Sequence, residues 1–181
     1  MPRPLVLHPA SRSGADIAIE ADACRPHADR LDLTYVVSGQ VSALFAPASD
    51  AQLRTDGLWK RTCFEAFLQP APGEAYIEFN LAPSGHWATY RFDRYHQGMR
   101  DAADVTPGPI AVLTGPDRLE LTVSVELPAS EAAARLWRLG LTAVIEELGG
   151  RVSYWALAHP SPQPDFHNAA SFVAALSQGV S

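Results

Sequence analysis

The chain has 181 residues, 47% of them hydrophobic and 19% charged, and a formal net charge of −6; that is enough sequence for one well-formed core and reads most simply as a single domain over 1–181. Its few lysines and arginines are scattered, so the clustered positive footprint of a nucleic-acid binder is missing. The first thirty residues lack the basic start, apolar centre and small-residue cleavage site of a secretory signal, and no run approaches the ~18 apolar residues of a membrane span.

These features predict a soluble, cytoplasmic protein without nucleic-acid or membrane partners. The two cysteines, Cys24 and Cys63, are far apart, form no CxxC and have no zinc-ligand spacing around them. Two small buried thiols are the expected state in a reducing compartment.

In chain order, "ADIAIEADA" alternates Ile17, Ile19 and Ala21 against Glu20 and Asp22. "RLDLTYVVSG" then offers Leu31, Leu33, Tyr35 and Val37 on one face. "DGLWKRTCFEAFLQP", read as a strand, points Trp59, Arg61, Cys63, Glu65 and Phe67 one way and Leu58, Thr62, Phe64, Ala66 and Leu68 the other. "YIEFNL" sends Tyr76, Glu78 and Asn80 opposite to Ile77, Phe79 and Leu81. After a turn at Pro83-Ser84-Gly85, Trp87, Thr89 and Arg91 oppose Tyr90 and Phe92.

"RLELTVSVEL" is the cleanest alternation, with Leu119, Leu121, Val123, Val125 and Leu127 inward. Ser130 is placed to cap a brief helix, "EAAARLW". "LGLTAVIEELGGRVSYWALAHP" reads as a hairpin turning at Gly149-Gly150. The proline-rich "SPQPDFHN" is an ordered loop leading into a short strand around Ala170 to Leu176.

Many short strands with turn residues between them and one short helix predict an all-β fold, an antiparallel β-sandwich or barrel. If the three middle segments pair as a meander, one face carries Trp59, Arg61, Glu65, Tyr76, Glu78 and Asn80, with Trp87 or Tyr90 beside them. Aromatic plates, two carboxylates, a guanidinium and an amide suit a sugar, whose CH-rich face stacks and whose hydroxyls need paired donors and acceptors. The same residues also suit a structural role, in which Arg61 pairs with Glu65 or Glu78 and fixes register.

A second dense stretch holds Tyr154, Trp155, His159, Asp165 and His167. Trp155 and His159 fall on one strand face, opposite Tyr154. Two imidazoles and a carboxylate can bind a divalent cation, although a His–Asp contact that pins the loop is the simpler reading. None of GxSxG, HExxH, GxxxxGK[ST] or a strand-linked GxGxxG occurs, which leaves Glu65 and Glu78 as a conceivable acid and base pair on a glycoside.

"LWKRTCFEAFLQP", "YIEFNLAPSGHWATYRFDRY" and "GLTAVIEELGGRVSYWALAHPSPQPDFHNAASF" together resemble the DOMON-like domains related to family 9 carbohydrate-binding modules, over about residues 15–175. The resemblance implies a sandwich or jelly roll of roughly ten strands that binds a sugar or, in other branches, a haem. It assigns Glu65, Tyr76, Glu78 and Asn80 to the central pattern, with Trp59 and Trp87 as nearby aromatics, in a binding module without catalysis or cofactor. A haem would need Met99 as one axial ligand and His159, His167, His86 or His27 as the other, because His96 is too near Met99 in sequence.

Overall fold

The computed structural model describes residues 1–49 and 51–178. The strands are β1 (Arg3–Pro4), β2 (Val6–Leu7), β3 (Ile17–His27), β4 (Arg30–Gly39), β5 (Cys63–Ala71), β6 (Tyr76–Leu81), β7 (Trp87–Phe92), β8 (Arg100–Asp101), β9 (Ala111–Thr114), β10 (Arg118–Glu126), β11 (Leu136–Glu146), β12 (Val152–Ala156) and β13 (Ala174–Ser177). One sheet runs β1-β3-β4-β10-β9; the other runs β2-β12-β11-β5-β6-β7-β8, with β13 on β11. All the pairings between named strands are antiparallel. This is the predicted β-sandwich, with more strands than the ten expected because β1, β2 and β8 are two-residue pieces.

The core lies between the sheets and follows the alternation. Leu31, Leu33, Tyr35 and Val37 of β4 and Leu119, Leu121, Val123 and Val125 of β10 face Phe64, Ala66, Leu68, Ile77, Phe79 and Leu81 of the larger sheet. Tyr35 stacks on Phe64 with centroids 5.1 Å apart, and its hydroxyl donates to the Glu65 carbonyl at 2.6 Å. A buried tyrosine needs such a partner, and this one ties the smaller sheet to β5.

The larger sheet is also covered on its outer face. Phe67, Tyr76, Tyr90, Phe92 and Val144 form a second cluster there with Phe166 and Phe172 from the C-terminal segment. Strands buried on both faces read as continuous apolar runs, and for that reason β5 and β6 carry little exposed polar surface.

Local expectations are corrected in four places. The helix is the single turn Ala129–Ala132, entered at Pro128 and without a side-chain cap; Ser130 lies inside it and bonds Glu131. Beyond it the chain is already strand, with the Trp137 indole donating to the Glu131 carbonyl at 2.8 Å. Between the paired Glu147 and Arg151 the β11–β12 turn has three residues, Leu148 to Gly150, rather than two: Glu147 N–H bonds Arg151 O, Gly150 N–H bonds Glu147 O, and Gly150 takes φ 80. Neither cysteine is in a disulfide, and Cys24 is exposed while Cys63 is buried. The final strand starts at Ala174, after a 3-10 turn at Ala169–Ser171.

Gly140 lies directly against the outer aromatic cluster. A Cβ there would stand 2.7 Å from Phe172 Cδ1 and 3.6 Å from Phe67 Cβ. Gly140→Ala should therefore lower stability by about 1–3 kcal/mol through displacement of Phe172, read as a lower denaturation midpoint at unchanged m-value; an unchanged midpoint would show that the C-terminal segment is not packed this closely.

Candidate functional site

Register decides which predicted residues meet. Glu65 pairs with Asn80 and Phe67 with Glu78, while Glu78 pairs with Tyr90 and Tyr76 with Phe92. Directly opposed residues share a face, so Glu65, Tyr76, Glu78 and Asn80 all project from the outer face of the larger sheet. On the other side Glu65 opposes Thr142 and Cys63 opposes Val144, and Val144 opposes Tyr154.

Over these strands lies a cavity of about 440 Å³ lined by Trp59, Glu65, Glu78, Phe92, Val144 and Tyr154, with His96 and Met99 from one loop and Pro164 to His167 from another. The proline-rich loop thus forms a wall of the cavity. It is held there by His159, whose Nε2 bonds the Val6 carbonyl at 2.7 Å, and by His8, whose Nε2 bonds the Ser161 carbonyl at 3.2 Å.

Three predicted residues are not where alternation placed them. Gly57 adopts φ 76 and Leu58–Lys60 form a 3-10 turn, so the strand begins only at Cys63. Trp59 reaches the cavity from that turn, 37% exposed and edge-on to Tyr90 at 5.8 Å. Arg61 turns outward, 3.3 Å from Glu146 and over the Phe45 ring; it pairs with neither Glu65 nor Glu78. Trp87 opposes Leu81 and packs against the main core, leaving Tyr90 and Phe92 on the site face.

In the second stretch Trp155 is likewise in the core and Tyr154 faces the cavity. His159 anchors the loop, whereas Asp165 and His167 line the cavity. Asp165 accepts from the Tyr95 hydroxyl at 2.6 Å and faces His96 Nε2 at 3.3 Å. His167 packs edge-on to Phe92 and Phe67, and its Nδ1 shares a 2.8 Å hydrogen bond with the Tyr76 hydroxyl.

The residues missed from sequence are Thr142, Phe92, His96 and Phe166. The first two follow from register with β11 and β7. The others sit in loops, where periodicity carries no signal.

The floor of the cavity is a pair of buried carboxyls. Glu65 is 3% exposed; its Oε2 accepts a long hydrogen bond from Thr142 Oγ1, and its Oε1 has no partner. Glu78 Oε1 accepts from the Asn80 amide at 2.6 Å, and its Oε2 lies 3.9 Å from His167 Nε2. Asn80 Oδ1 in turn faces the Cys63 thiol at 3.4 Å, so Asn80 positions Glu78 from beneath the floor.

Burial, and then the charge of Glu78, push the Glu65 carboxyl well above the usual range, against the hydrogen bond from Thr142. Burial raises Glu78 to about 7, against the bond from Asn80. Burial lowers His167 to about 4, helped by His96 and opposed by Asp165. Near neutral pH the floor therefore offers a Glu65 that holds its proton more tightly than a solvated carboxyl, beside a Glu78 near its titration midpoint and a neutral His167.

Comparison with known proteins gives fold-level likenesses. No family model matches the chain, and no curated protein matches it in sequence. A solved structure from Bacteroides uniformis, of a protein proposed to bind carbohydrate, superposes with TM-score 0.66 at 15% identity, over 99% of this chain and 86% of that one. A family 9 carbohydrate-binding module from Caldicellulosiruptor kristjanssonii superposes in two complexes. With glucose the TM-score is 0.56 at 11% identity, over 97% and 83% of the two chains; with cellotriose it is 0.57 at 10%, over 98% and 83%. The chain shares the β-sandwich fold of these structures.

The raised acids make stability depend on pH. Glu78 titrates near 7 in the fold against 4.5 for an unperturbed glutamate, so its contribution is complete below 4.5 and is lost as pH rises through 7. His167, at about 4 against 6.5, acts oppositely, being complete above 6.5 and lost as pH falls through 4. From about pH 6.5 to about 8 the contribution of Glu78 falls while that of His167 is nearly complete. The Tm of the free protein should fall across that window and Glu78→Gln should flatten the fall; a wild-type Tm independent of pH there would contradict the assignment.

Proposed function

We propose that this chain is a non-catalytic module that binds a saccharide, or a related small polar molecule, in the cavity over Glu65 and Glu78. The observation that carries the reading is Glu65 Oε1, buried without a hydrogen-bond partner at the floor of a cavity with aromatic walls. A buried polar atom left unpaired costs about 1–3 kcal/mol, which a ligand hydroxyl would recover. The walls supply what a sugar ring's CH face needs, with Trp59 as the most exposed plate. The volume falls within the range of small-molecule sites.

The likeness to modules bound to glucose and cellotriose supports the same reading. Acid and base carboxyls in glycoside hydrolysis flank the scissile bond, whereas Glu65 and Glu78 rise from adjacent strands on one floor. That arrangement favours binding over turnover.

The DOMON-like side of the resemblance, with its haem-binding branches, gains no support from these neighbours. The residues present also fit a haem poorly. Met99 borders the cavity with His96 and His167, but His96 Nε2 faces Asp165 and His167 has Nδ1 on Tyr76 with Nε2 toward Glu78. His159 is bound to Val6, His86 lines a different cavity, and His27 ends a strand of the other sheet.

Titration calorimetry with glucose, cellobiose and cellotriose tests the reading. Trp59→Ala should weaken saccharide binding about tenfold, since aromatic contacts contribute about 0.5–1.5 kcal/mol beyond buried area, with little change in Tm. Arg61→Ala, outside the cavity, should leave Kd within about twofold. Binding insensitive to both Trp59→Ala and Glu78→Ala would place the ligand elsewhere.

A further inference from the structure

The cavity has an unbalanced charge inventory. Its lining includes Glu65, Glu78 and Asp165 and contains no lysine or arginine. Asp165 is already occupied by the Tyr95 hydroxyl, the His167 backbone N–H and His96. The two floor carboxyls are not: Glu65 Oε1 is unpartnered, and Glu78 Oε2 has only a 3.9 Å approach to His167.

The arginines at the margins are committed elsewhere. Arg61 is with Glu146, and Arg54, over the Tyr90 ring, is with Asp56 and Asp101. Protonating Glu65 removes its charge but still leaves Oε1 without a partner. A cationic ligand can supply both the charge and the donor.

A metal ion is the poorer occupant. Among the described residues no three His, Cys, Asp or Glu side chains converge to hold one, and hard cations demand more oxygen ligands than two carboxyls supply. An ammonium carries three donors and one charge, and Trp59, Phe92, Tyr154 and Phe166 in the cavity lining are aromatic rings, whose quadrupoles attract a cation presented to a face.

We infer that the cavity selects an amino sugar, a saccharide whose primary ammonium sits at Glu65 and Glu78 while its ring lies against the aromatic wall. This rests on the saccharide reading above. An ammonium held there favours both carboxyls ionised, so binding at neutral pH releases a proton from the pair.

The other groups facing the pair do not take that role. Burial keeps the Cys63 thiol and the Tyr90 hydroxyl protonated, Tyr76 is raised to about 12, and His167 is neutral. His96 is turned to Asp165.

Calorimetry of the full chain with glucosamine, glucose, N-acetylglucosamine and cellotriose at neutral pH, repeated in buffers of different ionisation enthalpy, tests this. Glucosamine should bind at least about tenfold tighter than glucose and release a proton, N-acetylglucosamine should lose that advantage, and Glu65→Gln or Glu78→Gln should bring the glucosamine-to-glucose ratio to about one. Where glucose binds and glucosamine is no tighter, or N-acetylglucosamine equals glucosamine, the ammonium inference is overturned and the saccharide reading stands. Where none of the four binds the folded protein, the saccharide reading falls and the inference with it.

Discussion

Glu65 and Glu78 project from adjacent strands onto one face of the larger sheet, beneath a cavity that no lysine or arginine lines. Taking a carboxylate out of water without a partner costs several kcal/mol, so such groups hold a proton instead. That constraint orders what surrounds them. Asn80 and Thr142 each give one hydrogen bond, Tyr76 holds His167 by its far nitrogen, and Glu65 Oε1 is left without a partner while Glu78 Oε2 has only the 3.9 Å approach of His167.

The same two strands explain how the fold tolerates the pair. Phe64, Ala66 and Leu68 alternate with Glu65, and Ile77, Phe79 and Leu81 alternate with Glu78, so the inner face of β5 and β6 is wholly apolar. Tyr35 fixes β5 from the opposite sheet through the carbonyl of Glu65 itself, which couples the position of the carboxyl to the core. On the outside Phe67, Phe92, Phe166 and Phe172 fill the space not taken by the cavity. The floor is therefore rigid and its wall is a loop, an arrangement that suits binding of a small molecule on a stable scaffold.

Much of this was legible in the sequence. Period-two alternation located the long strands, and because β5, β6 and β7 pair in sequence order, Glu65, Tyr76, Glu78 and Asn80 could be placed on one face before any register was known. Where alternation misled, a local break was responsible. The left-handed Gly57 and the 3-10 turn after it uncouple Trp59 and Arg61 from the strand, and parity across the Pro83-Ser84-Gly85 turn sends Trp87 inward and Tyr90 outward. The β11–β12 loop gained a residue because the turn glycine with positive φ is Gly150, with Leu148 and Gly149 before it. His96, Phe166 and the closing of "SPQPDFHN" over the cavity depend on long-range contacts with Asp165, Val6 and Ser161, which no periodicity encodes.

The most direct test of the carboxyl pair as the ligand site is a carbon-13 NMR titration of the Glu78 side-chain carboxyl, without and then with a saturating saccharide. The account predicts an inflection near 7 in the free protein that moves when the ligand is added, because the ligand supplies partners the floor lacks. A Glu78 that titrates at an ordinary glutamate value, or whose titration the saccharide leaves unchanged, would contradict it.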